Sequence, residues 1–159
     1  MSLSNFEKVF NEFNLAFGVT NNNIPQPKLY DENPGLVKYR LSLIEEEVQE
    51  LNDAIKNKDF KETIDALTDI LYVVYGAYSA FGVNADEAFD LVHNSNMSKL
   101  CNSEQEAIET VEFYKKDGRY DSPNYRLSPD GNYYVVYNES TSKILKSINY
   151  KPVSFNSLF

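Results

Sequence analysis

The chain has 159 residues, of which 42% are apolar and 25% are charged, as expected for one globular domain with its own core. A net charge of −9 disfavours binding to polymeric nucleic acid, and no apolar run approaches the roughly 18 residues of a membrane span. The single Cys101 excludes an internal disulfide, and no leader pattern follows Met1, so we expect a cytoplasmic protein with no membrane partner.

The first part of the chain predicts one helix followed by a loop. Ser4 and Glu7 have the spacing of a capping box, which predicts a helix from Ser4 to about Phe17 that Gly18 can end. The stretch from Val19 to Gly35 is rich in asparagine and proline and predicts a loop.

Two long helices are predicted next, from Leu36 to about Lys58 and from Phe60 to about Phe81. Their main apolar stripes have helical spacing and consist of Leu41, Ile44, Val48, Leu51 and Ile55 on the first and Ile64, Leu67, Leu71, Val74, Tyr78 and Phe81 on the second. The second helix is also apolar or small on its opposite side, around Gly76, so we expect it to be buried on both sides. A mid-helix glycine at position 76 predicts a close helix contact there.

Shorter elements are predicted in the last part of the chain. Asn84 and Ser103 each stand three residues before a glutamate, and they predict helices at about 85–100 and 103–117.

A small β element follows these helices. Residues 133–137 and 144–148 predict a β-hairpin, with a loop at 120–132 before it. The expected fold is therefore all-α: a four- to five-helix bundle over residues 1–118, with a C-terminal β-hairpin extension and tail of the same domain over residues 119–159.

Two acidic clusters lie on the two long helices, and their apolar neighbours suggest that both are buried. Glu46, Glu47 and Glu50 span roughly 100° of the first helix, and Glu62, Asp65 and Asp69 lie within roughly 60° on the second. Antiparallel packing would bring these carboxylates together, which requires cations. Carboxylates alone suit a hard ion, so two or three Mg²⁺ ions and a phosphate ligand are predicted.

A solvated acidic face is the alternative for these clusters. It is the better interpretation for Glu45, which points elsewhere, and it fits the run from Glu46 to Glu50 equally well. It fits Asp69 poorly, because aspartate is a weak helix former and here precedes an apolar run.

Asn96 and Lys99 are spaced to present an amide and an ammonium on one helix face. Lysine suits a phosphate and asparagine suits a base or sugar edge, although a basic helix C-terminus is an equally good explanation. The lone His93 cannot build a zinc or di-iron site, which argues against ferritin-like chemistry.

Three motifs in order resemble the all-α nucleoside triphosphate pyrophosphohydrolases, namely the MazG-like proteins, the dimeric dUTPases and phosphoribosyl-ATP pyrophosphohydrolase. The resemblance covers about residues 36–100. The first motif is EExxE, matched by Arg40, Leu43, Ile44, Glu46, Glu47, Glu50 and Leu51. The second is the acidic end of ExxD with its apolar continuation, at 69–76, and the third is matched by Val92, His93, Asn96 and Lys99.

The second motif departs from the family pattern. If Asp69 is the aspartate of ExxD, Ala66 occupies the glutamate position, and Asp65, one turn before Asp69, takes over as ligand. Alternatively, Glu62 and Asp65 form the ExxD pair themselves. We prefer the first register because the residues after Asp69 match the family best.

The resemblance implies roles for these residues. Glu47, Glu50, Asp65 and Asp69 would hold Mg²⁺, with Mn²⁺ as a substitute, and Glu46 would orient or deprotonate the attacking water. Lys99 would neutralise phosphate charge. The expected contacts to substrate are Asn96 with the nucleoside and Arg40, a weaker candidate, with a phosphate.

The resemblance also implies an activity and an assembly. The expected reaction converts a nucleoside triphosphate into a monophosphate and pyrophosphate, in a house-cleaning role on the nucleotide pool. A phosphoribosyl-ATP pyrophosphohydrolase and a non-catalytic nucleotide- or metal-binding oligomer remain alternatives. A homodimer or homotetramer is expected, since it would cover the second apolar side of the 60–81 helix.

Overall fold

The computed structural model describes residues 1–159 as two compact units, one comprising 1–88 with 155–159 and the other comprising 89–154. Most of the chain is helical, and a three-stranded antiparallel sheet lies near the C-terminus. The predicted class, an all-α fold with a small β element, is therefore confirmed. The domain boundary predicted at residue 118 rests on the change from helix to strand and stays a prediction.

The first predicted helix forms, with one irregular turn. It consists of α1 (Asn5–Lys8), a π-helical turn (Val9–Phe13) and α2 (Asn14–Phe17). The capping box is complete, since Ser4 and Glu7 each accept a hydrogen bond from the other's backbone N–H. Gly18 ends the segment in the left-handed conformation.

The first long helix begins two residues earlier than predicted. A short α3 (Leu29–Glu32) lies in the predicted loop, and α4 spans Pro34–Lys56. Asn33 caps α4 by accepting a hydrogen bond from the N–H of Leu36, and Pro34 takes the first helical position, which needs no N–H donor.

The second long helix, α5 (Phe60–Phe81), has the predicted bounds. The Asp59 side chain caps it by accepting a hydrogen bond from the N–H of Glu62. Gly82 ends it at φ 72°, a conformation that side-chain-bearing residues rarely adopt.

Helices α4 and α5 pack against each other in an antiparallel register. Only residues 57–59 separate them, which favours antiparallel neighbours. Arg40 of α4 lies against Gly76 of α5, and seven residues further along α4, Glu47 interacts with Asp69, seven residues earlier in α5. The same register places Ala66, which is buried, across from Glu50. The close contact predicted at Gly76 is confirmed.

The main apolar stripes of these helices are not covered within one chain. Six of their side chains are 42–58% exposed, namely Leu41, Val48, Ile55, Ile64, Leu67 and Leu71. Gly76 and Ala80, on the other side of α5, are buried. The expectation that α5 is buried on both sides therefore fails for the single chain.

Helix α6 (Ala85–Met97) runs from the first unit into the second and ends three residues before the predicted position. Asn84 accepts hydrogen bonds from the N–H groups of Asp86 and Glu87, as its predicted capping role requires. No single helix is long and apolar enough to cross a membrane, although α5 and α6 together form one bent pair that passes this test of length and composition.

The second unit packs α7 (Glu104–Asp117) against a sheet of β1 (Pro123–Leu127), β2 (Tyr134–Asn138) and β3 (Lys143–Ile144). β2 is the central strand and pairs antiparallel with both neighbours. The predicted hairpin forms, but β3 is shorter than expected. The prediction of a loop at 120–132 is wrong, because it contains β1. The core consists of Cys101, Ala107, Val111, Tyr114, Val136 and Leu145.

Candidate active site

The carboxylate of Glu47 is the most constrained acidic group of the predicted site. It lies on the face of α4 that meets α5, and its Oε2 atom is buried without a hydrogen-bond partner. A buried, unpaired carboxylate oxygen costs free energy, so this position favours a bound cation or a proton.

The surroundings of Glu47 raise its pKa above the ordinary glutamate value. Burial is the largest cause, followed by the negative charges of Glu50, Asp69 and Glu46. The structure therefore brings together carboxylates from both helices, as the sequence predicts for an antiparallel pair.

The predicted burial of both acidic clusters is wrong for most of their members. Glu47 and Asp69 are half-buried, whereas the other side chains are exposed, namely Glu45, Glu46, Glu50, Glu62 and Asp65. The physical reason is that their apolar neighbours on the main stripes are themselves exposed, so no second layer covers this side of the helices. Asp65 lies one turn before Asp69, at an exposed position.

The carboxylate oxygens of this site are chemically suited to Mg²⁺, but they do not surround a single metal position. Hard cations prefer carboxylate oxygens, and Glu47 supplies an oxygen that has no other partner. However, no group of three or more acidic, histidine or cysteine side chains is arranged to hold a metal ion. Magnesium usually keeps several waters and is held by one or two carboxylates together with substrate phosphates, which this arrangement permits.

Arg40 lies at the other end of the same helix contact and is only 7% exposed. Its Nε and Nη2 atoms are buried and have no hydrogen-bond partner. The sequence named Arg40 as a phosphate candidate but gave no sign of its burial. The mid-helix Gly76 was the available signal, since a Cβ at that position would lie 2.6 Å from Arg40 Nη1.

Asn96 and Lys99 belong to the second unit. Asn96 is in the last turn of α6, and Lys99 follows the helix in a turn. The Lys99 ammonium donates a hydrogen bond of 2.9 Å to the Asn96 side-chain oxygen, so the two groups are close together although Lys99 lies beyond the end of α6. His93 stacks on the ring of Phe89, a structural contact.

Comparison with known proteins agrees with the first two motifs and with the third as far as Asn96. The family model described as phosphoribosyl-ATP pyrophosphohydrolase matches residues 10–96, a range that includes Arg40 and the carboxylates of α4 and α5. An uncharacterized protein of Acanthamoeba polyphaga mimivirus is 34% identical, with 98% of each chain covered. The chain therefore belongs to the phosphoribosyl-ATP pyrophosphohydrolase family, part of the MazG-like NTP pyrophosphohydrolase superfamily, and this membership supports a pyrophosphohydrolase-like, nucleotide-hydrolysing function.

Proposed function

We propose that this protein is a Mg²⁺-dependent nucleoside triphosphate pyrophosphohydrolase that releases a nucleoside monophosphate and pyrophosphate. The observation that carries the proposal is the unpartnered, buried oxygen of Glu47. It lies among other carboxylates from α4 and α5, and its pKa is raised there. Such a group is poorly stabilised alone and well suited to a divalent cation that also contacts phosphates.

Four carboxylates are proposed as Mg²⁺ ligands, namely Glu47, Glu50, Asp65 and Asp69. When bound there, Mg²⁺ would neutralise charge on the substrate phosphates and make water a better nucleophile. Glu46, the exposed neighbour of Glu47, orients the attacking water or accepts its proton. By the family resemblance, Lys99 is the proposed phosphate ligand and Asn96 the proposed nucleoside ligand.

A homodimer or homotetramer is part of the same proposal. The exposed stripes of α4 and α5 form an apolar face that a second copy of this chain would cover. Large contiguous apolar faces on one chain are typical of obligate oligomer interfaces.

The activity is tested with a panel of NTPs and dNTPs, in Mg²⁺, in Mn²⁺ and in EDTA, with products separated and identified. We expect a monophosphate and pyrophosphate with either metal, and no turnover in EDTA. Release of inorganic phosphate in place of pyrophosphate would contradict the proposed reaction.

Phosphoribosyl-ATP belongs in the same panel, because the matching family model carries that substrate's name. Turnover of phosphoribosyl-ATP, with no turnover of any triphosphate, would establish this second candidate function. Binding of nonhydrolysable nucleotides without any turnover would instead indicate the non-catalytic alternative.

A further inference from the structure

A cavity of about 410 Å³ lies between the first helical segment, α4 and α5, a size in the usual range for small-molecule sites. Its walls are mainly apolar and aromatic, with Phe13 and Tyr72 in edge-to-face contact at 5.3 Å and Tyr39 near the Arg40 guanidinium. The polar groups of its lining include the side chains of Asn14 and Arg40, both buried.

Arg40 carries the only charge on the cavity wall, and nothing in the chain neutralises it. Neither of the two ion pairs in the structure involves Arg40. Two of its nitrogens lack both solvent and a hydrogen-bond partner. Gly76 leaves the space that the guanidinium fills. A buried cation in this state is stabilised by any ligand that brings acceptor atoms to it.

The residues that line the cavity indicate which hydrogen-bond acceptor group the ligand carries. A phosphate group would need several cations or N–H donors, and this cavity offers one guanidinium among aromatic rings. A planar heteroaromatic ring fits better, since it stacks on aromatic side chains and presents carbonyl oxygens at its edge. Arginine only donates hydrogen bonds, so it favours a carbonyl over an amino group.

The position of the cavity agrees with that ligand. Arg40 and Glu47 are seven residues apart on one helix face, about 10 Å along the axis. A nucleotide whose phosphates lie at Glu47 and Asp69 can therefore extend its base along the helices toward Arg40.

We propose that this cavity is the nucleobase subsite, and that Arg40 selects bases that carry a carbonyl oxygen at the edge where adenine and cytosine carry an amino group. The inference rests on the proposed function, and it identifies Arg40 as a base-reading residue rather than a phosphate ligand.

Binding of mononucleotides in EDTA tests the proposal without any hydrolysis. The members of each pair, dGMP with dAMP and dUMP with dCMP, share one ring size and differ in carbonyl against amino at one ring position. The pyrimidine pair is the cleaner comparison, because dGMP also carries a 2-amino group that dAMP lacks. We expect the carbonyl member of each pair to bind about 10- to 100-fold more tightly. In Arg40→Met, which keeps the apolar stem, this ratio falls to about one. The exposed Lys38→Met on the same helix is the matched control and keeps the ratio.

Gly76→Ala gives a second, independent test. The added Cβ displaces the Arg40 guanidinium, so the affinity ratio of carbonyl to amino bases falls although the positive charge of Arg40 remains. The control is Gly35→Ala, also in a helix, where the nearest atom outside the local backbone is 3.9 Å away.

The outcomes separate a binding role from a structural one. Arg40→Met removes an unpaired buried cation, so its unfolding temperature without ligand should not fall. A lower unfolding temperature with an unchanged dGMP to dAMP ratio would overturn the proposal and assign Arg40 to the fold. Base discrimination in binding, with no triphosphate hydrolysed, would leave this inference standing and reject the proposed function. Hydrolysis of triphosphates with equal use of all bases would support the proposed function and overturn this inference.

Discussion

Glu47 and Arg40 carry opposite charges on one face of α4, and each has buried polar atoms with no partner in the chain. They are too far apart along the helix to pair with each other, since seven residues correspond to about 10 Å. Unsatisfied buried groups are rare in folded proteins, and a bound ion or ligand is one physical explanation for them. The two residues therefore define the two ends of the proposed nucleotide site.

The ionisation of Glu47 gives a prediction about stability. Because its pKa is raised in the folded state, its stabilising contribution is present below the ordinary glutamate pKa and is lost as the pH rises through the raised value. In EDTA, Glu47→Gln should raise the free energy of unfolding at neutral pH, because it removes a repelled charge from a partly buried position. Chemical denaturation at several pH values measures this difference, which should vanish in acid.

The exposed Glu45→Gln is the control for this experiment and should show no such pH-dependent gain. Addition of Mg²⁺ should stabilise the parent protein and leave Glu47→Gln almost unchanged. A lower stability of Glu47→Gln in EDTA at neutral pH would contradict the assignment of Glu47 as a repelled, unpaired carboxylate.

At the scale of elements, the helix boundaries were accessible from sequence because they depend on local chemistry. Ser4, Asp59 and Ser103 each accept a hydrogen bond from a backbone N–H at the start of a helix, which needs no information from the rest of the chain. The strand β1 was not predicted, although its residues alternate between half-buried and exposed from Pro123 to Arg126. Its structure depends on pairing with β2.

The burial of the carboxylates could not be predicted from the sequence either. Angular position on a helix follows from residue number alone, so the sequence correctly placed Glu47 and Asp69 on facing sides. Which side of α4 and α5 is covered depends on other elements, and Glu50 and Asp65 are exposed for that reason. The burial of Arg40 was missed in the same way.

The end of α5 gives a prediction about one turn. Gly82 has positive φ, and a Cβ there would lie 2.0 Å from the carbonyl oxygen of Ile24. Gly82→Ala should therefore cost about 1–2 kcal/mol of backbone strain and a further 1–3 kcal/mol, roughly, for the overlap. Thermal unfolding measures the total.

Gly118→Ala is the matched control for that turn. Gly118 also ends a helix at positive φ, but nothing lies within 4 Å of its added Cβ, so only the strain should remain. Equal losses at the two positions would show that the Ile24 carbonyl does not constrain the end of α5.

At the scale of the whole molecule, the uncovered stripes of α4 and α5 bear on assembly. Leu67, near the middle of this face, is 46% exposed in the single chain. We expect light scattering to give a mass of at least twice the 18.3 kDa of one chain. Leu67→Glu should shift the protein toward the monomer, because it places a charge in the proposed apolar interface.

Ile108→Glu is the control for assembly. Ile108 is 40% exposed on α7 and lies outside the proposed interface, so this replacement should leave the mass unchanged. A parent protein that stays monomeric at high concentration would contradict the proposed homodimer or homotetramer.

The most direct test of the central claim is the turnover number of Glu47→Gln beside that of Glu45→Gln, with saturating Mg²⁺ and the best triphosphate from the panel. The account predicts that Glu47→Gln loses roughly 100-fold or more, as expected for a metal ligand, and that Glu45→Gln retains the parent rate. Equal rates for the two variants and the parent would contradict a catalytic site at Glu47.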